Sequence, residues 1–278
     1  MVNLEALAYA VTRLVCKKSD GTSSVGTSFI FGIHDNGESH IPILVTNKHV
    51  VKDSIHTTFY LTKKDDVGNP IFEDYQKIEL SGTGAWKDHP NNDVDLCAIT
   101  FGNILNLFDK KNGTKIKSTR IMPDVIPTKE QLKELRTVED VLMVGYPIGL
   151  WDQHNNRPIF RKGITATHVG LPYNGKKEFL IDIAAFPGSS GSPVYIYREG
   201  LRVVNSVGDR LAGRDDLFYF AGVLYAGPMY NAHGEIIVKN VPTQMTPLVN
   251  SQIPSNLGIV IASEELMEFE KIFPKPTA

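Results

Sequence analysis

Short runs of β-branched, aliphatic and aromatic residues, each bounded by Gly, Asp, Asn or Ser, recur along the whole chain. Runs of this length and composition are typical of β-strands rather than of helices. They predict a dozen strands, which are Val11–Cys16, Ser28–Ile33, Ile41–Thr46, His56–Leu61, Tyr75–Leu80, Asp95–Phe101, Val141–Tyr146, Gly163–Val169, Glu178–Ala184, Val194–Tyr197, Phe218–Tyr225 and Leu257–Ala262. This many short strands, separated by turn residues, indicate an all-β sandwich or barrel.

Two segments carry helical signals instead. Thr128 and Gln131 have the spacing of a capping box ahead of two leucines, which predicts a helix beginning at Thr128. Ser263 precedes an apolar stripe, so a second helix is expected over 263–273 with this serine in its N-terminal cap.

The strands fall into two groups of similar size. The polar segment from about Asn103 to Val138 separates them and is expected to connect two β-modules. The stretch from Asn231 to Ser255, rich in Asn, Pro and Thr, is predicted to be a long loop, and such loops often form binding walls or lids.

Composition narrows the class of protein. Of 278 residues, 42% are hydrophobic and 22% are charged, which is typical of a folded globular chain. The net charge is −2 and no basic stripe is present, so nucleic acid is not an expected partner. No apolar run approaches the roughly 18 residues of a membrane span, and the N-terminus lacks a signal-peptide pattern. We therefore expect a cytoplasmic protein without a membrane span.

The two cysteines, Cys16 and Cys97, both lie in apolar runs. They cannot form a disulfide framework, and neither has a metal-ligand neighbour at C-x-x-C spacing. We expect two buried, reduced thiols, no metal site and no cofactor.

Three polar positions interrupt these patterns. His49 breaks a buried strand, Asp95 enters another, and Ser190 lies in a turn of small residues just before a third. Each alone has a commonplace interpretation, as a surface histidine, a strand-edge aspartate and a loop serine. Together, in the order His, Asp, Ser, they match what acyl transfer needs. Ser190 would attack a carbonyl, His49 would carry its proton to the leaving amine, and Asp95 would orient and stabilise the imidazole.

Gly188 precedes this serine by two residues and allows backbone N–H groups to converge. The N–H groups of Gly188 and Ser190 could then bind the oxyanion that develops during the attack. Asp93 competes with Asp95 for the acidic role.

Six stretches together resemble one family. Residues 46–50 read T-x-x-H-V, residues 95–99 read D-L-x-A-I, and residues 188–193 read G-x-S-G-S-P. Three further matches are V-G-T-S-F-I at 25–30, V-G-Y-P-I-G at 144–149 and L-G-I-V-I-A at 257–262. On these motifs the chain resembles the trypsin-like serine peptidases of the chymotrypsin fold, closest to the bacterial type that includes the Deg (high-temperature-requirement) proteases. The match at 96–99 favours Asp95 over Asp93.

The resemblance implies an all-β fold of two six-stranded antiparallel β-barrels with a C-terminal helix, in one peptidase domain over 1–278. The first barrel would span about residues 10–105 and the second about residues 139–262, with the helix at 263–273 and the triad in the cleft between the barrels. The implied activity is that of a serine endopeptidase with protein or peptide substrates. A partner protein for targeting or activation is compatible with it.

The resemblance also places the pocket for P1, the substrate residue whose carbonyl is attacked. Ala184 stands where trypsins carry an Asp that binds basic side chains, Tyr225, Ala226 and Gly227 match one wall, and Gly258 matches another. An uncharged floor cannot pair a buried Lys or Arg. Small to medium apolar P1 residues are therefore expected, unless the stretch from 231 to 255 reshapes the pocket.

Ser189 departs from the pattern of the digestive relatives. There the residue before the nucleophile is acidic and pairs with a new N-terminus after zymogen cleavage. With serine at this position, activation by N-terminal cleavage is not expected.

The same motifs bear on two other functions. An α/β-hydrolase needs G-x-S-x-G after a strand and the order Ser, Asp, His, which this chain does not have. A catalytically silent or conditionally active binding or scaffold protein on the same fold is the stronger alternative, although intact His49, Asp95 and Ser190 argue against it.

Overall fold

Fifteen β-strands dominate the computed structural model, which describes residues 3–82, 84–106, 113–198, 217–235 and 248–275. They are β1 (Val11–Lys18), β2 (Ser23–Ile33), β3 (Ile41–Thr46), β4 (Ser54–Lys64), β5 (Pro70–Ser81), β6 (Lys87–Asp88), β7 (Cys97–Thr100), β8 (Asp140–Gly145), β9 (Ile159–Thr165), β10 (Glu178–Asp182), β11 (Pro193–Arg198), β12 (Leu217–Ala226), β13 (Met229–Glu235), β14 (Leu248–Pro254) and β15 (Leu257–Ala262).

The strands form two main antiparallel sheets. In the second half of the chain, six strands close into a barrel in the order β10-β15-β12-β11-β8-β9. In the first half, seven strands form a sheet in the order β5-β4-β1-β2-β3-β7-β6. The short edge strand β6 was not predicted from the sequence. The all-β class and the second six-stranded barrel are confirmed. The predicted first six-stranded barrel is instead a seven-stranded sheet whose end strands, β5 and β6, do not pair within the described residues.

One strand prediction and one loop prediction were wrong. β9 begins at Ile159 rather than Gly163 and ends before the predicted Val169, because its pairing with β8 runs from Gly145↔Ile159 to Asp140↔Ile164. The predicted loop at 231–255 contains most of the β13–β14 hairpin, paired from Met229↔Pro254 to Glu235↔Leu248. Within the described residues, this ribbon is a separate two-stranded sheet. Its sequence has no regular apolar alternation, which is the signal by which a core-facing strand is recognised.

The helices are short. The predicted capping box is confirmed, since Thr128 and Gln131 bond reciprocally at the start of Lys129–Glu134. The C-terminal helix, Ser263–Lys271, is a 3₁₀ helix with Ala262 as its N-cap, so the predicted Ser263 cap was wrong. Ala262 is also the last residue of β15, and its extended backbone leads directly into the helix. The remaining helical segments are Leu4–Tyr9, Lys48–Val51, 102–106, Pro123–Val125 and Pro147–Gly149.

One apolar cluster is shared by the two halves. Phe29 of β2 contacts Phe220 of β12 with ring centroids 5.6 Å apart, and Phe269 of the C-terminal helix is buried in the same cluster. β2 pairs with β3, which ends just before His49, and β12 pairs with β11, which begins just after Ser190. The shared core therefore sets the position of one candidate catalytic residue relative to the other.

Both cysteines are buried free thiols, as predicted. Burial raises the pKa of Cys97 well above its ordinary value, which keeps this thiol protonated and unreactive. Across the described ranges, no helix is long and apolar enough to cross a membrane.

Candidate active site

His49 lies at the point where a buried strand ends. β3 is buried from Ile43 to Thr46, and Asn47 then leads into a single helical turn, Lys48–Val51, that contains the histidine. Asn47 is fully buried, and its Nδ2 donates to the main-chain carbonyl of Asp95 at 2.8 Å. This bond ties the segment with the histidine to the segment with the aspartate.

Asp95 holds His49 through both carboxylate oxygens. Oδ2 lies 2.5 Å from the His49 ring nitrogen Nδ1, and Oδ1 accepts the His49 backbone N–H at 3.1 Å. An ionised carboxylate only accepts hydrogen bonds, so Nδ1 carries the proton and the neutral ring keeps its lone pair on Nε2. The pair is accessible, with 48% of the His49 side chain and 24% of the Asp95 side chain exposed. The geometry suits a general base held in one tautomer.

Asp93 lies apart from this pair. It is exposed, and its backbone N–H donates to Asn91 Oδ1 at 3.0 Å. Among the described residues, its carboxylate makes no hydrogen bond or ion pair with His49.

Ser190 lies in the turn between β10 and β11. Its Oγ donates to the Tyr225 carbonyl at 3.4 Å, and no hydrogen bond joins it to His49 within the described part of the chain. The turn nevertheless lies against β3, since a Cβ on neighbouring Gly191 would be 2.7 Å from Thr46 Oγ1. The structure therefore brings Ser190 to the segment that carries His49, with its hydroxyl turned toward β12.

Thr27 of β2 anchors this turn from the first half of the molecule. Its hydroxyl donates to the Gly188 carbonyl at 3.1 Å and accepts the Tyr146 N–H at 3.1 Å. Its own N–H donates to the Ser190 carbonyl at 2.8 Å. Thr27 is fully buried, so the two bonds to the Gly188 and Ser190 carbonyls hold the turn from the interior of the protein.

The backbone N–H groups around Ser190 differ in whether they find an acceptor. The Ser189 N–H donates to the Phe186 carbonyl at 3.0 Å, whereas the N–H groups of Gly188 and Ser190 find no partner among the described residues. Gly188 has a φ of 88°, and a Cβ there would lie 2.7 Å from the Tyr146 carbonyl oxygen. Only glycine meets both conditions. These two N–H groups are those expected to bind the oxyanion.

A pocket of about 130 Å³ opens beside Ser190. Its lining residues carry no formal charge, and they are Ala185, Phe186, Pro187, Ser190, Leu224, Tyr225, Ala226 and Gly227. Three of them, Tyr225 to Gly227, are residues to which the sequence resemblance assigned a pocket wall.

The other two predicted pocket residues do not line it. The Ala184 carbonyl accepts a hydrogen bond from the Arg161 guanidinium behind the pocket. Gly258 faces Leu224, because a Cβ added to this glycine would lie 2.6 Å from Leu224 Cδ1. Gly258 therefore packs against Leu224, which is buried in the barrel core and lines the pocket.

Tyr225 ties the pocket wall to β10. Its hydroxyl donates to Glu178 Oε1 at 3.0 Å. Burial, together with the nearby Glu178 carboxylate, raises the pKa of Tyr225 well above its ordinary value, so the phenol remains a donor.

Sequence reasoning missed Arg161 and Thr27. Arg161 alternates in phase with Ile159 and Gly163 along β9, which indicates a side chain that faces inward. Thr27 lies inside a motif that was recognised, but its partner Gly188 is 161 positions away.

Among the described residues, no group of three or more His, Cys, Asp or Glu side chains could hold a metal ion.

Comparison with known proteins decides the family. The family model described as a trypsin-like peptidase domain matches residues 26–203, which is more than half of the chain and includes His49, Asp95 and Ser190. The chain belongs to the trypsin-like peptidase family. This is the family that the sequence motifs resembled.

Solved structures to which the chain is similar include two proteases. An "HtrA-type protease AlgW with tripeptide" has a TM-score of 0.48 and 17% identity, and the match covers 98% of this chain and 62% of that one. The "Rv3671c protease from M. tuberculosis, active form" has a TM-score of 0.45 and 14% identity, with 99% and 86% covered. The chain thus spans less than two thirds of the AlgW chain. No curated protein sequence matches it.

Proposed function

We propose that this trypsin-like peptidase hydrolyses peptide bonds in protein substrates through His49, Asp95 and Ser190. The observation that carries the proposal is the double contact of Asp95 with His49, at 2.5 Å to the ring and 3.1 Å to the backbone. A surface carboxylate without a further role does not require hydrogen bonds to both the ring Nδ1 and the backbone N–H of one histidine. An imidazole that must accept and return a proton needs this orientation.

The reaction follows from these positions. Ser190 Oγ rotates away from the Tyr225 carbonyl and attacks the substrate carbonyl carbon, and its proton passes to His49 Nε2. The resulting oxyanion accepts the N–H groups of Gly188 and Ser190. His49 then gives the proton to the amide nitrogen as the C–N bond breaks and the amine leaves. Water attacks the acyl-enzyme by the same route and releases the acid product.

We infer that the P1 residue is small to medium and apolar. The pocket beside Ser190 holds about 130 Å³ and is lined by alanines, glycine, proline and larger apolar side chains. A lysine or arginine there would be desolvated without an opposite charge, which costs several kcal/mol in proteins. When the Ser190 hydroxyl rotates away, the Tyr225 carbonyl loses this hydrogen bond and becomes free to accept a backbone N–H of the substrate.

Cleavage-site mapping tests this function. Purified protein is incubated with an unfolded protein substrate and a peptide library, and the new termini are identified by mass spectrometry. We expect cleavage after residues such as Ala and Val, abolished in Ser190→Ala and retained in Ser23→Ala, an exposed serine at the start of β2. A dominant preference for Arg or Lys at P1 would overturn the specificity. Equal hydrolysis by Ser190→Ala would overturn the mechanism.

A further inference from the structure

Arg161 is a cation placed behind the turn that holds Ser190. It lies in the middle of β9, opposite Met143 of β8, with its side chain directed inward. Its Nη2 donates to Ser189 Oγ at 2.7 Å, and its Nη1 donates to the Ala184 carbonyl. Ser189 itself is fully buried. The guanidinium therefore joins the barrel wall to the residue that directly precedes Ser190.

The charge of Arg161 has no opposite partner. Within the described residues, no carboxylate forms an ion pair with it, and its buried Nε makes no hydrogen bond. Burial lowers the pKa of Arg161 to about 10, so the group is still charged at neutral pH. Burying an unpaired charge is costly. The side chain is only partly buried, and its hydrogen bonds to Ser189 Oγ and the Ala184 carbonyl offset part of that cost.

The two hydrogen bonds span one loop. Ala184 stands at its beginning and Ser189 at its end, and between them lie the pocket-wall residues Ala185 to Pro187 and the oxyanion donor Gly188. A planar guanidinium offers its donors in a fixed geometry. Arg161 therefore contacts both ends of the loop that contains these pocket residues and Gly188.

We propose that Arg161 is a positioning residue that holds the loop 184–189 in the geometry that binds the oxyanion, acting through Ser189. It does not touch the substrate, since it is absent from the lining of the pocket. The inference rests on the proposed peptidase function and adds an internal anchor to it. It predicts that Arg161 contributes to turnover more than to substrate affinity, because a displaced oxyanion donor weakens binding of the transition state rather than of the substrate.

Four variants test the role of Arg161. Arg161→Ala removes the guanidinium, and Arg161→Lys keeps the charge without the fork. Ser189→Ala removes only the acceptor. Lys162→Ala is the matched control, because this neighbour on β9 points outward and pairs with Asp140 on the surface. The readouts are kcat and KM on a peptide with an apolar P1 residue, the rate of labelling by a fluorophosphonate, and thermal unfolding.

We expect Arg161→Ala to lower kcat by about 10²-fold or more with little change in KM, as for the loss of one oxyanion donor. Added guanidinium ion should restore part of that kcat in Arg161→Ala and none in Ser190→Ala. Arg161→Lys and Ser189→Ala should each be intermediate, and the double variant Arg161→Ala, Ser189→Ala should be no worse than Arg161→Ala alone. Lys162→Ala should match wild type.

The outcomes separate this inference from the proposed function. If wild type is active and Arg161→Ala retains full kcat, the positioning role is wrong while the function stands. A change in P1 preference at unchanged kcat would assign Arg161 to the pocket instead and also overturn the role. If Arg161→Ala does not fold, Ser189→Ala decides, since full kcat in that variant contradicts the proposal and a lowered kcat supports it. A folded wild type with no activity overturns the function and this inference together.

Discussion

At the residue scale, the contacts of Asp95 separate two aspartates that the sequence leaves in competition. Both lie near the start of the same short strand, and only the family motif favours Asp95. In the structure, Asp95 accepts two hydrogen bonds from His49, whereas Asp93 is exposed and bonds through its backbone to Asn91. The two aspartates are therefore distinguished by their contacts with His49, since their side chains are chemically identical.

Asp95→Asn should lower kcat by about 10⁴-fold, the loss measured for the equivalent change in a well-studied triad, because an amide can hold the ring in the wrong tautomer. Asp93→Asn is the matched control and should retain wild-type turnover. Steady-state kinetics on an apolar P1 peptide measures both. Reversal of the two effects would assign the acidic role to Asp93.

At the scale of the element, the turn between β10 and β11 depends on glycines in two different ways. Gly188 needs its positive φ so that its N–H can point toward the proposed oxyanion site. Gly191 needs to lack a side chain because β2 packs directly against it. Gly191 has a φ of 85°, and a Cβ there would lie 2.0 Å from the Thr27 carbonyl oxygen. That oxygen also accepts the Thr46 hydroxyl at 2.7 Å, so it cannot retreat without breaking a buried bond.

Gly21 offers a matched comparison for Gly191. It has the same φ of 85°, but no atom lies within 4 Å of its would-be Cβ. Gly21→Ala should therefore cost only the backbone strain, roughly 1–2 kcal/mol. Gly191→Ala adds a steric clash with main chain and should cost about 3 kcal/mol or more. Urea unfolding measures both, and equal losses would show that the turn tolerates a side chain at 191.

The sequence predicts elements well where an apolar face meets the core. β3 and β15 have the predicted bounds because their apolar runs are buried in the core. The Thr128 capping box forms because it depends on neighbouring residues alone. The β13–β14 hairpin was missed because it pairs outside both sheets. Arg161 was missed because its function depends on Ser189, 28 positions away, which no local pattern encodes.

At the scale of the whole molecule, the candidate site is assembled from both halves of the chain. His49 and Asp95 flank strands of the first sheet, whereas Ser190 precedes a strand of the closed barrel. Thr27 crosses from one half to bond with the turn of the other, and the cluster around Phe29 and Phe220 lies beneath it. The candidate site therefore forms only when both halves are packed together.

A fluorophosphonate reports on that assembled site in a single step, because it phosphonylates a serine only when a base accepts its proton and an oxyanion site accepts its oxygen. Intact-mass and peptide mass spectrometry of the labelled protein therefore tests the central claim most directly. The account predicts one phosphonyl group on Ser190 of the wild type, none on Ser190→Ala, and labelling of His49→Ala slowed by orders of magnitude. A folded wild-type protein that remains unlabelled, or that is labelled at a different residue, would contradict it.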